Sequence, residues 1–203
     1  MKFTTTTGLL QGVLSKVSGV VPTKSTMPIL ENFLFDLLNN TLTVTATDLE
    51  ISQTISFEVK GSEDGTIAIP AKRLNDTVRA LPDTDIVFII DVTSSKVNIT
   101  TKNGEYSLTG ESAKDFPAVP PFGGKEEISL DSVLLKKIIH RTAFAVSTDE
   151  LRPAMMGVLL QSKGSELRSV ATDGHRLVRC SYKMPKSGLK KDIIIPAKAL
   201  NIV

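Results

Sequence analysis

One cysteine, two histidines, no tryptophan and an aromatic content of 5% leave this chain of 203 residues short of most reactive side chains. The lone Cys180 excludes an internal disulfide and fits a reducing cytosol. His140 and His175 are too few to build a metal-ligand cluster without carboxylates, so no metal and no cofactor are expected. Neither a Gly-rich phosphate loop nor a nucleophile elbow occurs. No apolar run approaches the ~20 residues that span a bilayer, so no membrane partner is expected. The opening Met1-Lys2-Phe3-Thr4 lacks the apolar stretch of a signal peptide, and a cytoplasmic location is expected. A net charge of +2 is too small to advertise a nucleic-acid partner by itself.

What the chain does contain is a repeat. Adding 125 to a residue number in the first half finds a similar residue in the second: Leu9-Leu10 and Leu134-Leu135, Pro28 and Pro153, Ala46-Thr47-Asp48 and Ala171-Thr172-Asp173. Further on the offset is 126, as in Ile51 and Leu177, or Pro70-Ala71-Lys72 and Pro196-Ala197-Lys198. One extra residue is therefore expected in copy two between Asp173 and Leu177, where Asp-Gly-His-Arg-Leu replaces Asp-Leu-Glu-Ile. Such an insertion would bend the chain and lift side chains off a sheet, as a functional loop or as a harmless bulge. The period divides the chain into domains at 1–125 and 126–203. It implies that roughly 50 residues of the second copy lie beyond Val203, making the chain a fragment.

Periodicity assigns helices to 5–20, 71–80, 131–146 and 197–203. Strands are read at 2–4, 29–37, 42–47, 51–59, 66–69, 85–91, 96–101 and 105–109, then 128–130, 156–161, 166–172, 176–182 and 192–195. Polar turns are expected at 39–40, 61–65 and 103–104, and a boundary at 118–124. The first unit thus has about eight strands and two short helices. The fold class is α+β, with repeated domains of two short helices packed on antiparallel sheets, the second repeat truncated. The four helices carry eight bases, namely Lys16, Lys72, Arg73, Arg79, Lys136, Lys137, Arg141 and Lys198, against the acids Asp76 and Asp131. The remainder of the chain is acidic, so a polyanion-facing helix surface is expected; ordinary solvated helix faces are the plain alternative.

Asp173 beside His175 resembles a base with its orienting carboxylate, and Thr172 and Cys180 are the nearest nucleophiles. Asp48 occupies the same place in copy one without any histidine. That argues for an aspartate capping its own turn, and against catalysis.

Taken together, Met1-Lys2-Phe3, Met27-Pro28-Ile29-Leu30, Ala46-Thr47-Asp48-Leu49-Glu50, Ile69-Pro70-Ala71-Lys72, Asp115-Phe116-Pro117 and Ala171-Thr172-Asp173-Gly174-His175-Arg176-Leu177 resemble the bacterial DNA polymerase III β subunits, the sliding clamps. The match runs over essentially the whole chain. The resemblance implies a non-catalytic DNA-clamp fold with three similar domains per chain, closing head-to-tail as a homodimer around duplex DNA. It also implies a chain too short to close a ring. Sequence-independent DNA contact is implied for Lys24, Arg73 and Lys198 first, then Lys72, Arg79, Lys136, Lys137 and Arg141, with Lys16 beside them. An aromatic DNA contact common in the family after the Arg152 position is replaced here by Pro153 and Ala154. Short peptide motifs of the replicative polymerase, the clamp loader and repair proteins would enter a cleft walled by Met155, Thr172, Gly174, His175, Arg176 and Leu177. The dimer seam would involve Leu74, Tyr106 and Leu108, although plain core packing is an equal alternative for Leu74 and Leu108. A repeat-built protein-interaction module that never touches DNA, and a hydrolase using Asp173 and His175, are the rival readings.

Overall fold

The structure is a computed structural model describing residues 1–119, 129–149, 151–184, 189 and 191–202. Contacts divide the chain into Met1–Pro120 and Pro121–Val203.

In the first unit β1 (Lys2–Thr6) runs into α1 (Thr7–Val17). The helix starts later than 5 because Thr5 and Thr6 are already paired in a sheet, and Thr6 accepts the Leu9 N–H as N-cap. Five strands follow: β2 (Asn32–Leu38), β3 (Thr41–Thr47), β4 (Ser52–Glu58), β5 (Lys60–Glu63) and β6 (Gly65–Pro70). After α2 (Ala71–Ala80) come β7 (Asp85–Asp91), β8 (Lys96–Thr101) and β9 (Gly104–Thr109). They form two antiparallel sheets, in the orders β5-β1-β7-β8-β9 and β4-β3-β2-β6.

Three further details of this unit differ from the sequence reading. The segment expected as a polar turn at 61–65 is largely β5, an edge strand paired with β1, which makes nine strands rather than eight. Its Lys, Ser and Glu side chains are what an edge strand carries against unwanted pairing, and alternation of apolar residues cannot reveal it. Ile29 and Leu30 do not open a strand; they sit in a 3-10 turn (Pro28–Glu31), buried against Ala68 and Phe116. The β8–β9 register pairs Thr101 with Gly104, so Lys102-Asn103 is the hairpin loop, not Asn103-Gly104. Thr101 Oγ holds that loop by accepting the Asn103 N–H and donating to the Gly104 carbonyl. Asn39 and Asn40, at φ of 47° and 66°, form the expected two-residue hairpin turn.

The core of this unit is aromatic at its centre. Phe3 and Phe88 stack with centroids 4.7 Å apart, and Phe35 tilts against both. Leu10, Leu14 and Val17 of α1 and Leu74 and Val78 of α2 are buried. The two helices are tied by Asn75 Nδ2 donating to Ser18 Oγ at 2.8 Å.

In the second unit Asp131 accepts the Val133 and Leu134 N–H groups, both at 3.0 Å, and starts α3 (Ser132–Thr142). The α-helix ends at Thr142 rather than 146 and tightens into a 3-10 turn (Ala143–Ala145); a second such turn is Pro153–Met155. Then follow β10 (Gly157–Lys163), β11 (Glu166–Thr172), β12 (Leu177–Lys183), β13 (Ile193–Pro196) and α4 (Ala197–Ile202). The sheet order β12-β11-β10-β13 reproduces β4-β3-β2-β6 strand for strand. Ile138, Val158, Leu160, Leu167, Ala171 and Leu200 form its core. Of the strand expected at 128–130, Ile128 lies outside the described residues, and Ser129 and Leu130 carry no strand. Within each unit, short helices are set against antiparallel sheets: an α+β fold.

Candidate functional site

The loop joining β11 to β12 is built by one aspartate. Asp173 Oδ1 accepts the N–H groups of His175 (3.0 Å) and Arg176 (2.9 Å). Thr172 Oγ accepts the Gly174 N–H and donates to the Arg176 carbonyl at 2.7 Å, while Asp173 N–H donates to that same carbonyl. The β3–β4 loop is its twin. Asp48 Oδ1 accepts from Glu50 and Ile51, Thr47 Oγ accepts from Leu49 and donates to the Ile51 carbonyl, and Asp48 N–H donates to it.

The register corrects the expected insertion. Thr47 pairs with Ser52 and Thr172 with Leu177, so both loops have the same length and the offset stays 125 through β12. The extra residue enters later, between Lys183 and Ile193. Ile51 corresponds to Arg176, not to Leu177. The two loops differ in side chains alone: Leu49, Glu50 and Ile51 in one, Gly174, His175 and Arg176 in the other.

Those side chains change what surrounds the turn. Arg176 Nε donates to Asp173 Oδ2 at 3.0 Å, its Nη2 donates to the Phe144 carbonyl at 2.9 Å, and its guanidinium lies 5.5 Å from the Phe144 ring centroid. The N–H groups of Arg176 and His175, and then the Arg176 side chain, hold the Asp173 carboxyl at about 2. A second pair repeats the pattern nearby. Arg152 Nε donates to Asp149 Oδ2 at 2.8 Å, which with the Leu151 N–H lowers the Asp149 carboxyl below its usual range. A Cβ on Gly174 would lie 3.4 Å from Arg152 Nη1. Met155 donates its N–H to the Arg152 carbonyl and accepts the Ser147 N–H.

Of the residues expected to wall a peptide cleft, Thr172, Gly174, His175, Arg176 and Leu177 therefore share one loop, with Leu177 exposed at its end. Met155 belongs to the adjoining turn that carries Arg152. Phe144, Asp149 and Arg152 were not among the expected wall residues. A phenylalanine in the last turn of the basic helix read at 131–146 was the available signal for Phe144, which the structure leaves exposed beyond the end of α3.

Catalysis finds no support here. Asp173 meets His175 through the backbone N–H rather than the imidazole, and Thr172 Oγ is committed to the loop. Among the described residues no cluster of metal-binding side chains occurs, and no helix is long and apolar enough to cross a membrane.

The basic residues are all on the surface: Lys16 on α1, Lys24 in the segment after it, Lys72, Arg73 and Arg79 on α2, Lys136, Lys137 and Arg141 on α3, and Lys198 on α4. Four ion pairs, the Met1 N-terminus with Glu63, Arg152 with Asp149, Arg168 with Glu166 and Arg176 with Asp173, join residues off the α-helices. Lys72 and Arg73 border an open cavity of about 760 Å³ beside the start of α2. Leu74 is corrected: it is fully buried on the inner stripe of α2 with Ala71 and Val78 and offers nothing to a partner. Leu108 is half-buried and Tyr106 exposed, both on β9, an edge strand.

Comparison with known proteins agrees with this geometry. The family model of the DNA polymerase III beta subunit N-terminal domain matches residues 1–120, and that of its central domain matches 129–203. The beta sliding clamp of Pseudomonas aeruginosa is 34% identical over 203 residues, covering 98% of this chain and 55% of that protein. A DNA polymerase III beta subunit structure from Eubacterium rectale superposes with a TM-score of 0.92 at 32% identity, covering all of this chain and 55% of the other. A sliding clamp from Bartonella birtlesii, solved bound to griselimycin, gives a TM-score of 0.88 at 34% identity with the same coverage. The chain thus spans about half the length of the relatives it matches. With both units matched over nearly their full extent, the chain belongs to the DNA polymerase III beta subunit family, carrying its N-terminal domain and central-domain sequence.

Proposed function

We propose that this chain serves in a sliding clamp: a non-catalytic processivity factor of the cytoplasm that surrounds duplex DNA and tethers the replicative polymerase. The observation that carries the reading is the charge of the helix surfaces: α1, α2, α3 and α4 together carry eight exposed Lys and Arg side chains against the single acid Asp76. A sliding surface must attract phosphates without reading bases, and Lys and Arg on helix faces do that. Lys24, Arg73 and Lys198 are the first contacts in this reading, with Lys72, Arg79, Lys136, Lys137 and Arg141 supporting them. The 173–177 loop is the docking site for short peptide motifs of the polymerase, the clamp loader and repair proteins. A relative solved with griselimycin supports a ligand-binding clamp surface. Tyr106 and Leu108 on the β9 edge are the proposed seam of a head-to-tail homodimer.

The test is fluorescence anisotropy with labelled duplexes of unrelated sequence at several salt concentrations. Equal affinities across sequences and a steep loss with salt are expected, with Lys72→Glu and Arg73→Glu each weakening binding. Affinity that ignores salt, or follows base sequence, would refute the DNA reading. Partner binding without any DNA effect would favour the interaction-module reading.

A further inference from the structure

The twin turns allow a separation that a single turn would not. The loop after β3 and the loop after β11 have matching backbone hydrogen bonds, length and left-handed residue (Leu49 at φ 78°, Gly174 at φ 89°). The first achieves this with Ile51 where the second has Arg176, and with Gly19 at the repeat position of Phe144. The clasp of Arg176 on Phe144 is therefore surplus to the shape of the turn. It costs an exposed aromatic ring, 57% accessible, at the end of the 3-10 turn after α3. The two nitrogens of Arg176 that it engages are committed within the protein, Nε to Asp173 and Nη2 to the Phe144 carbonyl. Leu177, 65% exposed, follows immediately.

We infer that Phe144 and Arg176 are positioning residues. They immobilise the docking loop so that the Gly174-His175 backbone and the Leu177 side chain are presented in one orientation to an incoming apolar peptide. Arg176 acts by holding the loop, not by attracting the partner's charge. A surface ordered beforehand loses less entropy on binding, which is the advantage of the clasp. This inference rests on the docking reading above for its purpose, but the clasp itself can be measured without any ligand.

The experiment uses the wild type with Phe144→Ala, Phe144→Tyr and Arg176→Lys. The lysine keeps the charge but cannot bond Asp173 and the Phe144 carbonyl as a fork. Backbone order parameters from nitrogen-15 relaxation are measured at residues 173–177, with 48–52 in the same sample as the twin that lacks an arginine–aromatic pair. The 173–177 loop is expected near the rigid value of about 0.85 in the wild type, above its twin. In Phe144→Ala and Arg176→Lys it should fall toward about 0.6, with Phe144→Tyr unchanged. Melting temperatures should stay level, since Phe144 is exposed. Calorimetric titration with griselimycin then reads the consequence: Phe144→Ala weakens binding roughly fivefold, Arg176→Lys weakens it at least as much, and Phe144→Tyr stays within about twofold. Equal stiffness of the two loops in the wild type, or a stiff 173–177 loop in Phe144→Ala and Arg176→Lys, would overturn the inference. So would full griselimycin affinity in Arg176→Lys. A wild type that ignores griselimycin would sink the docking reading instead, and the order parameters would still decide the clasp.

Discussion

Leu49 and Gly174 occupy the same left-handed position of two otherwise matching turns. A leucine there suffers a Cβ–carbonyl clash of about 1–2 kcal/mol, part of which glycine gives back through its freer unfolded chain. Leu49 is 58% exposed, so little burial is lost on shortening it. Leu49→Gly is expected to raise stability by about 0.5–1 kcal/mol, and Gly174→Ala to lower it by a similar amount, both read by urea denaturation. A loss of stability in Leu49→Gly would mean that the leucine packs on something that outweighs its backbone strain. Asp173 makes a pH prediction at the same scale. Its carboxyl is depressed from 3.8 to about 2 by two loop N–H groups and Arg176. A depressed acid adds stability that is complete above its unfolded value near 3.8 and is lost as pH falls through about 2. Carbon-13 titration of the side chain should therefore show a midpoint near 2; a midpoint near 3.8 would mean the loop bonds do not form in solution.

Between the two copies, the β11–β12 pair has exchanged an apolar trio for a polar one. The registers place Ser169, Cys180 and Tyr182 where Val44, Ile55 and Phe57 stand in β3 and β4. Ser169 Oγ and Tyr182 OH are buried with no well-formed hydrogen bond, only a loose contact with each other and with Cys180; burial, then Cys180, raises the Tyr182 hydroxyl above its ordinary value, and Ser169 offsets part of the rise. Buried hydroxyls paired this poorly incur part of a desolvation penalty of about 1–3 kcal/mol each, whereas an apolar replacement of like shape does not. The double variant Ser169→Val with Tyr182→Phe should therefore stabilise the second unit by about 1–3 kcal/mol, because copy one shows the same strand pair accepting those residues. Chemical denaturation followed by circular dichroism measures it, and a destabilised double variant would contradict the argument. Elements such as these were legible where side chains alternate or recur every three to four residues. α2, β7 and β8 fall where the periodicity puts them. β5 was not legible, because an edge strand of Lys, Gly, Ser and Glu is defined by backbone pairing with β1 alone. Ile29 and Leu30 were misread because a 3-10 turn that buries consecutive apolar residues looks like the start of a strand.

At the scale of the molecule, the repeat was the most informative property of the sequence, and it also produced the clearest error. Aligning Ile51 with Leu177 by hydrophobicity put the extra residue inside the Asp173 loop, whereas strand register puts Arg176 opposite Ile51. Hydrophobic matching cannot see that an arginine has taken an isoleucine's place, so the clasp on Phe144 stayed hidden although the loop itself was found. Leu74 was similarly ambiguous, since an inner-stripe leucine reads alike in a core and at a seam. The basic helix faces are different: exposure follows directly from their spacing, and the proposal they support can be measured additively. Each phosphate neutralised on duplex DNA contributes about −0.9 to the slope of log affinity against log salt. Replacing Lys72 and Arg73 by glutamine in the first unit should therefore flatten the slope by up to about 1.8, and replacing Lys136 and Lys137 in the second should do the same. If both surfaces contact phosphates of their own, the quadruple variant flattens it by the sum, because contacts that share no partner add. A first-unit variant that flattens the slope while the second-unit variant leaves it untouched would restrict DNA contact to α1 and α2. A slope unchanged in all three would transfer the bases of both units from a DNA-facing role to ordinary solvated helix surface.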